Sequence, residues 1–116
     1  MGLTVSTGQN GPFTVVTISG EIDIATVPQL RDALETPLHQ TDPCLILDLT
    51  DVRFCDSSGL ALLVATRRRL PDGAPLRLAG AQPIVARVFQ LTGLTHVLPM
   101  FATVSDAVAA SDTART

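Results

Sequence analysis

Residues 54–60 read FCDSSGL, a stretch in which an apolar, strand-like segment gives way to an apolar helix. Asp56, Ser57 and Ser58 are preferred helix N-cap types, and the side-chain oxygen of each can satisfy an otherwise unpaired backbone N–H. A serine hydroxyl at such a junction can also be offered for chemistry. The helix N-terminus tolerates an anion well, so a phosphate adding about −1.5 to −2 charge could sit there without melting the helix. Capping and modification are therefore compatible. A second acidic stretch, GEID at residues 20–23, sets Glu21 and Asp23 on either side of Ile22. If the backbone is extended there, both carboxylates face the same way. Paired carboxylates can do acid–base work where a cleft shifts a pKa, and otherwise read as a solvated loop.

Other chemistries find little support. In a G-x-S-x-G nucleophile elbow built on Ser57, Cys55 would stand where the first glycine belongs. His39 and His96 are the only imidazoles that could act as a base, and both read as solvated residues at element ends. Neither G-x-x-x-x-G-K-[ST] nor G-x-G-x-x-G occurs, so no phosphate-cradling loop is present. Two histidines and two separated cysteines, Cys44 and Cys55, make no metal-ligand spacing, no C-x-x-C unit and no disulfide framework. No cofactor and no metal are expected, and the thiols suit a reducing compartment.

Aromatic residues make up 3% of the 116, with no Trp or Tyr, and the net charge is −3, which argues against nucleic-acid binding. All eight basic residues are Arg, and Arg67, Arg68 and Arg69 would fan around a helix as a solvated end rather than form one patch. The N-terminus lacks the pattern of a secretory leader, and the longest apolar run, Leu60–Ala65, is too short to span a bilayer. The expectation is a cytoplasmic protein without membrane contact.

The elements that must position these residues alternate. LTVST at 3–7 and TVVTIS at 14–19 predict a hairpin across a Gly/Pro-rich turn. Thr26 and Pro28 open a helix with Val27, Leu30, Leu34 and Leu38 on its apolar face. CLILDL at 44–49 predicts a central strand covered on both faces. A helix follows over Leu60–Leu70, stopped by Pro71-Asp72-Gly73, and then a strand over Leu76–Ala79. Pro83 opens a helix with Ile84, Val85, Val88 and Phe89 on one face and Arg87 and Gln90 on the other. An edge strand over 97–101 and a last helix capped by Ser105 complete the pattern, with a frayed tail at 111–116. The fold class is α/β: one domain over 3–110, a mainly parallel sheet, an N-terminal hairpin and about four helices. Functional loops in such sheets lie beyond the carboxyl ends of the strands, the address of both GEID and FCDSSG.

GEID followed by a capped helix, LDLTDVRFCDSSGLALL at 47–63, and VARVFQLTGL at 85–94 together resemble the STAS domain, and more closely the stand-alone anti-sigma-factor antagonists. The resemblance runs over nearly the entire chain. It implies a protein that binds an anti-sigma factor with serine-kinase activity and so frees a sigma factor. It further implies phosphorylation of Ser57, with Ser58 the second choice, release of the phosphorylated form, and resetting by a protein phosphatase. The partner-binding surface implied is Glu21, Asp23, Asp56, Ser57, Ser58 and Gly59. Cys55 and Ala61 depart from the residues usual in the family, and the face of Ala61, Leu62 and Val64 reads as core. Two alternatives stand beside this one: a STAS module not regulated by phosphorylation, and a small nucleotide-binding or phosphoryl-transfer enzyme.

Overall fold

In the computed structural model, which describes residues 2–110, β1 (Leu3–Asn10) and β2 (Phe13–Ile22) form an antiparallel hairpin. There follow α1 (Val27–Leu38), β3 (Leu45–Cys55), α2 (Ser57–Arg69), β4 (Leu76–Ala79), α3 (Pro83–Leu91), a 3₁₀ turn at Leu94–His96, β5 (Met100–Phe101) and α4 (Val104–Ala109). The five strands lie in sequence order in one sheet, and every pairing after the hairpin is parallel. The expected α/β architecture with four helices is what forms. The tail expected at 111–116 lies outside the described residues.

The two sheet faces are unequal. Leu45, Leu47 and Leu49 of β3, with Val16, Ile18, Leu76 and Leu78 beside them, meet Leu30 and Leu34 of α1, Leu60 and Leu63 of α2, and Val85 and Phe89 of α3. On the opposite face, Phe13, Ile46 and Ala79 meet only α4, through Ala107. Alternation along β3 thus feeds both layers, as its continuous apolar run predicts.

β3 is longer than expected because tertiary pairing extends it. Its ladder with β2 passes from Thr17↔Asp48 to Ser19↔Asp51 and from Gly20↔Val52 to Glu21↔Phe54, each shift placing one extra residue in β3. Such bulges bend and twist a strand. β4 ends opposite Asp48, so the rest of β3 continues along β2 alone and carries residues 54–60 to the carboxyl end of the sheet. β2 likewise runs on to Ile22, so Gly20 and Glu21 are strand residues and the loop begins at Asp23.

Other expectations need correction. α2 starts at Ser57, one turn earlier than Leu60, because the cap is Asp56. Ile84 is exposed rather than on the apolar face of α3, where Val85 and Phe89 occupy the inward positions. Residues 97–99 are not strand: the Leu98 N–H closes the preceding turn onto the Leu94 carbonyl, and only Met100–Phe101 joins β4. Thr103, not Ser105, caps α4, its hydroxyl accepting from the Asp106 N–H at 3.0 Å. Arg69 makes a two-pronged ion pair with Glu35 of α1, at 2.6 and 3.0 Å, so this member of the arginine run ties α2 to α1. No helix among the described residues is long and apolar enough to cross a membrane.

Candidate functional site

At the N-terminus of α2, the Asp56 carboxylate is the common acceptor. Its Oδ1 receives the Ser58 N–H at 2.9 Å, the Gly59 N–H at 3.2 Å and the Ser58 hydroxyl at 2.5 Å. The Ile24 N–H, from the loop after β2, also stabilises it. The Ser58 hydroxyl is the largest of the influences that hold the Asp56 carboxyl below the usual carboxylate range, and the backbone N–H groups act the same way. The Asp56 N–H in turn donates to the Ile22 carbonyl at 3.1 Å. The two polar loops therefore converge, joined through Asp56.

The β2–α1 loop is built from its own side chains. Asp23 Oδ1 accepts from the Ala25 and Thr26 N–H groups at 2.9 and 3.1 Å. Thr26, buried, accepts from the Asp23 N–H at 2.9 Å and donates to the Glu21 carbonyl at 2.8 Å. Thr26 closes this turn rather than capping α1 with its side chain. The carboxylates of Glu21 and Asp23 consequently differ in role: Asp23 shapes the turn, whereas Glu21 remains in β2 and lends the loop its carbonyl.

The two serines differ sharply. Ser58 is half-buried with its hydroxyl bound to Asp56. Ser57 is exposed, and its hydroxyl has no hydrogen-bond partner among the described residues. Gly59 is buried, and a Cβ there would stand 2.7 Å from both Cys55 Sγ and Ile22 Cγ2. Glycine at 59 lets α2 settle onto the ends of β2 and β3, which sets where Ser57 emerges. Cys55 beneath it is buried and its thiol is pushed up to about 11, chiefly by burial and secondarily by Asp56. Such a thiol is inert at neutral pH.

Of the six residues expected at a binding surface, Asp23, Asp56, Ser57 and Ser58 cluster around the two loops. Glu21 sits one step back in the strand, and Gly59 lies beneath the cluster. The sequence reading missed Ile24, which is 79% exposed at the tip of the loop. Its signal is a large apolar residue directly after an acidic turn.

The arrangement presents a hydroxyl without activating it. His39 is at the far end of α1, its ring nitrogen 2.7 Å from the Glu35 carbonyl oxygen, so no imidazole serves Ser57 from there. Among the described residues no cluster of His, Cys, Asp and Glu is placed to hold a metal ion. A groove of about 630 Å³ lined by Pro12, Asp42, Pro71 and Arg77 lies by the β1–β2 turn, apart from these loops.

Residues 4–107 match the STAS domain family, and the chain belongs to it. The chain is 33% identical over 100 residues to an anti-sigma-B factor antagonist of Staphylococcus aureus, covering 84% of this chain and 92% of that one. The crystal structure of an anti-sigma factor antagonist from Mycobacterium paratuberculosis superposes with a TM-score of 0.86 at 33% identity, over 91% of each chain. The Bacillus cell fate determinant SpoIIAA in its phosphorylated form is similar with a TM-score of 0.67 at 26% identity, over 90% of this chain and 96% of that one.

Proposed function

We propose that this chain is an anti-sigma-factor antagonist, itself not an enzyme, that binds an anti-sigma factor with serine-kinase activity in the cytoplasm. Ser57 is the phosphate acceptor, and a protein phosphatase resets it. The observation that carries this reading is the unequal state of two adjacent hydroxyls. Ser58 is held by Asp56, while Ser57 faces solvent unengaged. The names of the relatives, and a structural neighbour described in a phosphorylated form, support the same role.

The switch follows from electrostatics. Asp56 already answers the positive end of α2. A phosphate on Ser57 adds negative charge beside Asp56 and Asp23, which no Arg pairs with among the described residues. A partner surface complementary to the unmodified site then meets like charge, and affinity falls by orders of magnitude. The partner supplies the catalytic base and nucleotide, which accounts for a site without either.

Incubation with ATP and each anti-sigma kinase encoded in the same genome, followed by mass spectrometry, tests the proposal. Phosphate on Ser57, absent in Ser57→Ala and accompanied by loss of binding, is the expected result. Stable binding to an anti-sigma factor with no phosphate transfer would replace it with the unphosphorylated STAS module.

A further inference from the structure

The two edges of the sheet are built differently. β5, at one edge, is two residues long and follows Pro99, which has no N–H to donate. Short strands and prolines are common guards against pairing with another chain. β1, at the other edge, is eight residues long, and its ladder with β2 runs from Leu3↔Gly20 to Asn10↔Phe13 without a bulge. It holds no proline and no charge, and no charged side chain occurs in the sequence before Glu21.

The backbone groups that β1 turns outward follow from one bond. The Gly2 carbonyl accepts from the Glu21 N–H of β2 at 3.3 Å, so the N–H and C=O of Leu3 point away from β2. Gln29 of α1 meets them there, its side-chain amide donating to the Leu3 carbonyl at 2.8 Å. Alternation turns the N–H and C=O of Val5, Thr7 and Gln9 outward as well. These have no backbone partner among the described residues, so the edge is open over residues 5–9.

Beside this window α1 stands back and leaves a groove of about 460 Å³. Its helix wall is Ala33, Thr36 and Gln40, which continue the flank begun by Gln29 at helical spacing, whereas Glu35 turns to Arg69 of α2. Its other wall is Thr7 and Gln9, with the buried Thr14 hydroxyl 2.6 Å from Gln9 Oε1 and 2.9 Å from Gln40 Oε1. Every residue lining the groove is uncharged. Open ladder groups beside short neutral side chains recognise an extended backbone.

We propose that the occupant is β1 of a second copy, paired antiparallel across a two-fold axis at Thr7, so that two sheets become one. Thr7 then faces its own counterpart, and Val5 of each copy faces Gln9 of the other. Each pair exchanges both N–H···O bonds, and the symmetry makes the contact self-complementary. Two chains of net charge −3 meet over a stretch that contributes no charge, and threonine opposite threonine is a favourable cross-strand pair. The guarded β5 offers no second edge, so the assembly closes at two. Residues 5–9 lie opposite Ile18–Thr14, the first half of β2, whereas Ser57 follows the carboxyl end of β3, so both Ser57 hydroxyls stay exposed. The dimer is independent of the function proposed above.

The test is analytical ultracentrifugation of the full chain over a concentration series, with amide exchange followed by NMR. A reversible dimer is expected, in which exchange at the Val5, Thr7 and Gln9 amides slows as concentration rises. Thr7→Pro removes an N–H that the β1–β2 ladder does not use, and Thr7→Lys sets like charges face to face on the axis. Each is expected to weaken dimerisation about tenfold or more, with thermal melts verifying that the fold is kept. Gln90→Lys makes the same change of charge at an exposed position of α3 and is expected to leave dimerisation unchanged. An equimolar mixture of Thr7→Lys and Thr7→Glu is expected to pair again, a recovery that a damaged fold would not give. A chain that stays monomeric up to about 1 mM overturns the proposal. So does a dimer that keeps its affinity within about twofold in both Thr7→Pro and Thr7→Lys, or a series of species larger than two.

Discussion

The hydroxyl of Ser58 lies 2.5 Å from the carboxylate of Asp56, and the residue between them, Ser57, is the one left exposed. Two serines of identical chemistry are thereby distinguished by one helix cap. The cap also links the loops, since the same carboxylate faces the Ile24 N–H.

Ser58→Ala should raise the Asp56 pKa toward its ordinary value of 3.8, because the first-ranked influence lowering it is removed. Carboxyl NMR titration measures this directly. Phosphorylation at Ser57 should persist in the same variant, and transfer of phosphate to position 57 lost along with the Ser58 hydroxyl would contradict the division of roles.

Stability should fall in acid through Asp56 and Glu35. Both carboxyls are lowered in the folded chain, Asp56 mainly by the Ser58 hydroxyl and Glu35 mainly by its bond to Arg69. A depressed folded pKa contributes stability that is fully present above the unfolded value and is lost as pH falls through the folded one. Chemical denaturation below about pH 4 should therefore show a declining midpoint. In Asp56→Asn the decline should be shallower, from a lower starting stability.

Gly59→Ala should destabilise the protein by about 1–3 kcal/mol, the usual result of overpacking. The added Cβ would stand 2.7 Å from Cys55 Sγ and Ile22 Cγ2, so α2 must lift from the strand ends. Urea melts give the loss. The same shift should slow phosphorylation of Ser57 more than Arg68→Ala does, a change at an exposed position toward the other end of the same helix.

Cys55 should resist alkylation in the native state at neutral pH, since it is 4% exposed and its thiol is pushed up to about 11. Mass spectrometry after iodoacetamide treatment should find it labelled only after denaturant is added. Rapid native labelling would show that α2 opens from the sheet.

Arg77 should prove to be what holds α4. It is buried, its guanidinium lies 4.9 Å from the Phe13 ring centroid and 5.8 Å from that of Phe101, and its Nη1 donates to the Ala107 and Ala110 carbonyls at 2.6 and 3.0 Å. Arg77→Met keeps the apolar stem and removes the donors, which should cost about 2–4 kcal/mol, a charged hydrogen bond plus stranded carbonyls. Hydrogen exchange should rise at the amides of α4 well before those of α2.

Much of this was legible from the chain as written. Strand-like composition marked all five strands, the last with bounds that were too wide, because a sheet face and a helix face impose different periods on whatever they bury. Local types also placed the two polar stretches at the carboxyl ends of β2 and β3. The same reasoning failed wherever a partner distant in sequence decided the outcome. β3 runs past Leu49 because β2 offers it a ladder, although Asp51 and Arg53 are poor strand signals. Thr103 displaces Ser105 as cap because its backbone is extended and its hydroxyl lies 3.0 Å from the Asp106 N–H.

The sequence by itself determined the alternation of strands and helices, the acidic loops and the presence of a hydroxyl at the start of α2, since these follow from residue type and period alone. Only the three-dimensional structure decided which hydroxyl is left free, why residue 59 is glycine, and that the loop carrying Ile24 meets the Asp56 carboxylate. Residue 59 answers to Ile22, and the Ile24 N–H to Asp56, partners more than thirty residues apart in the chain that no local rule registers.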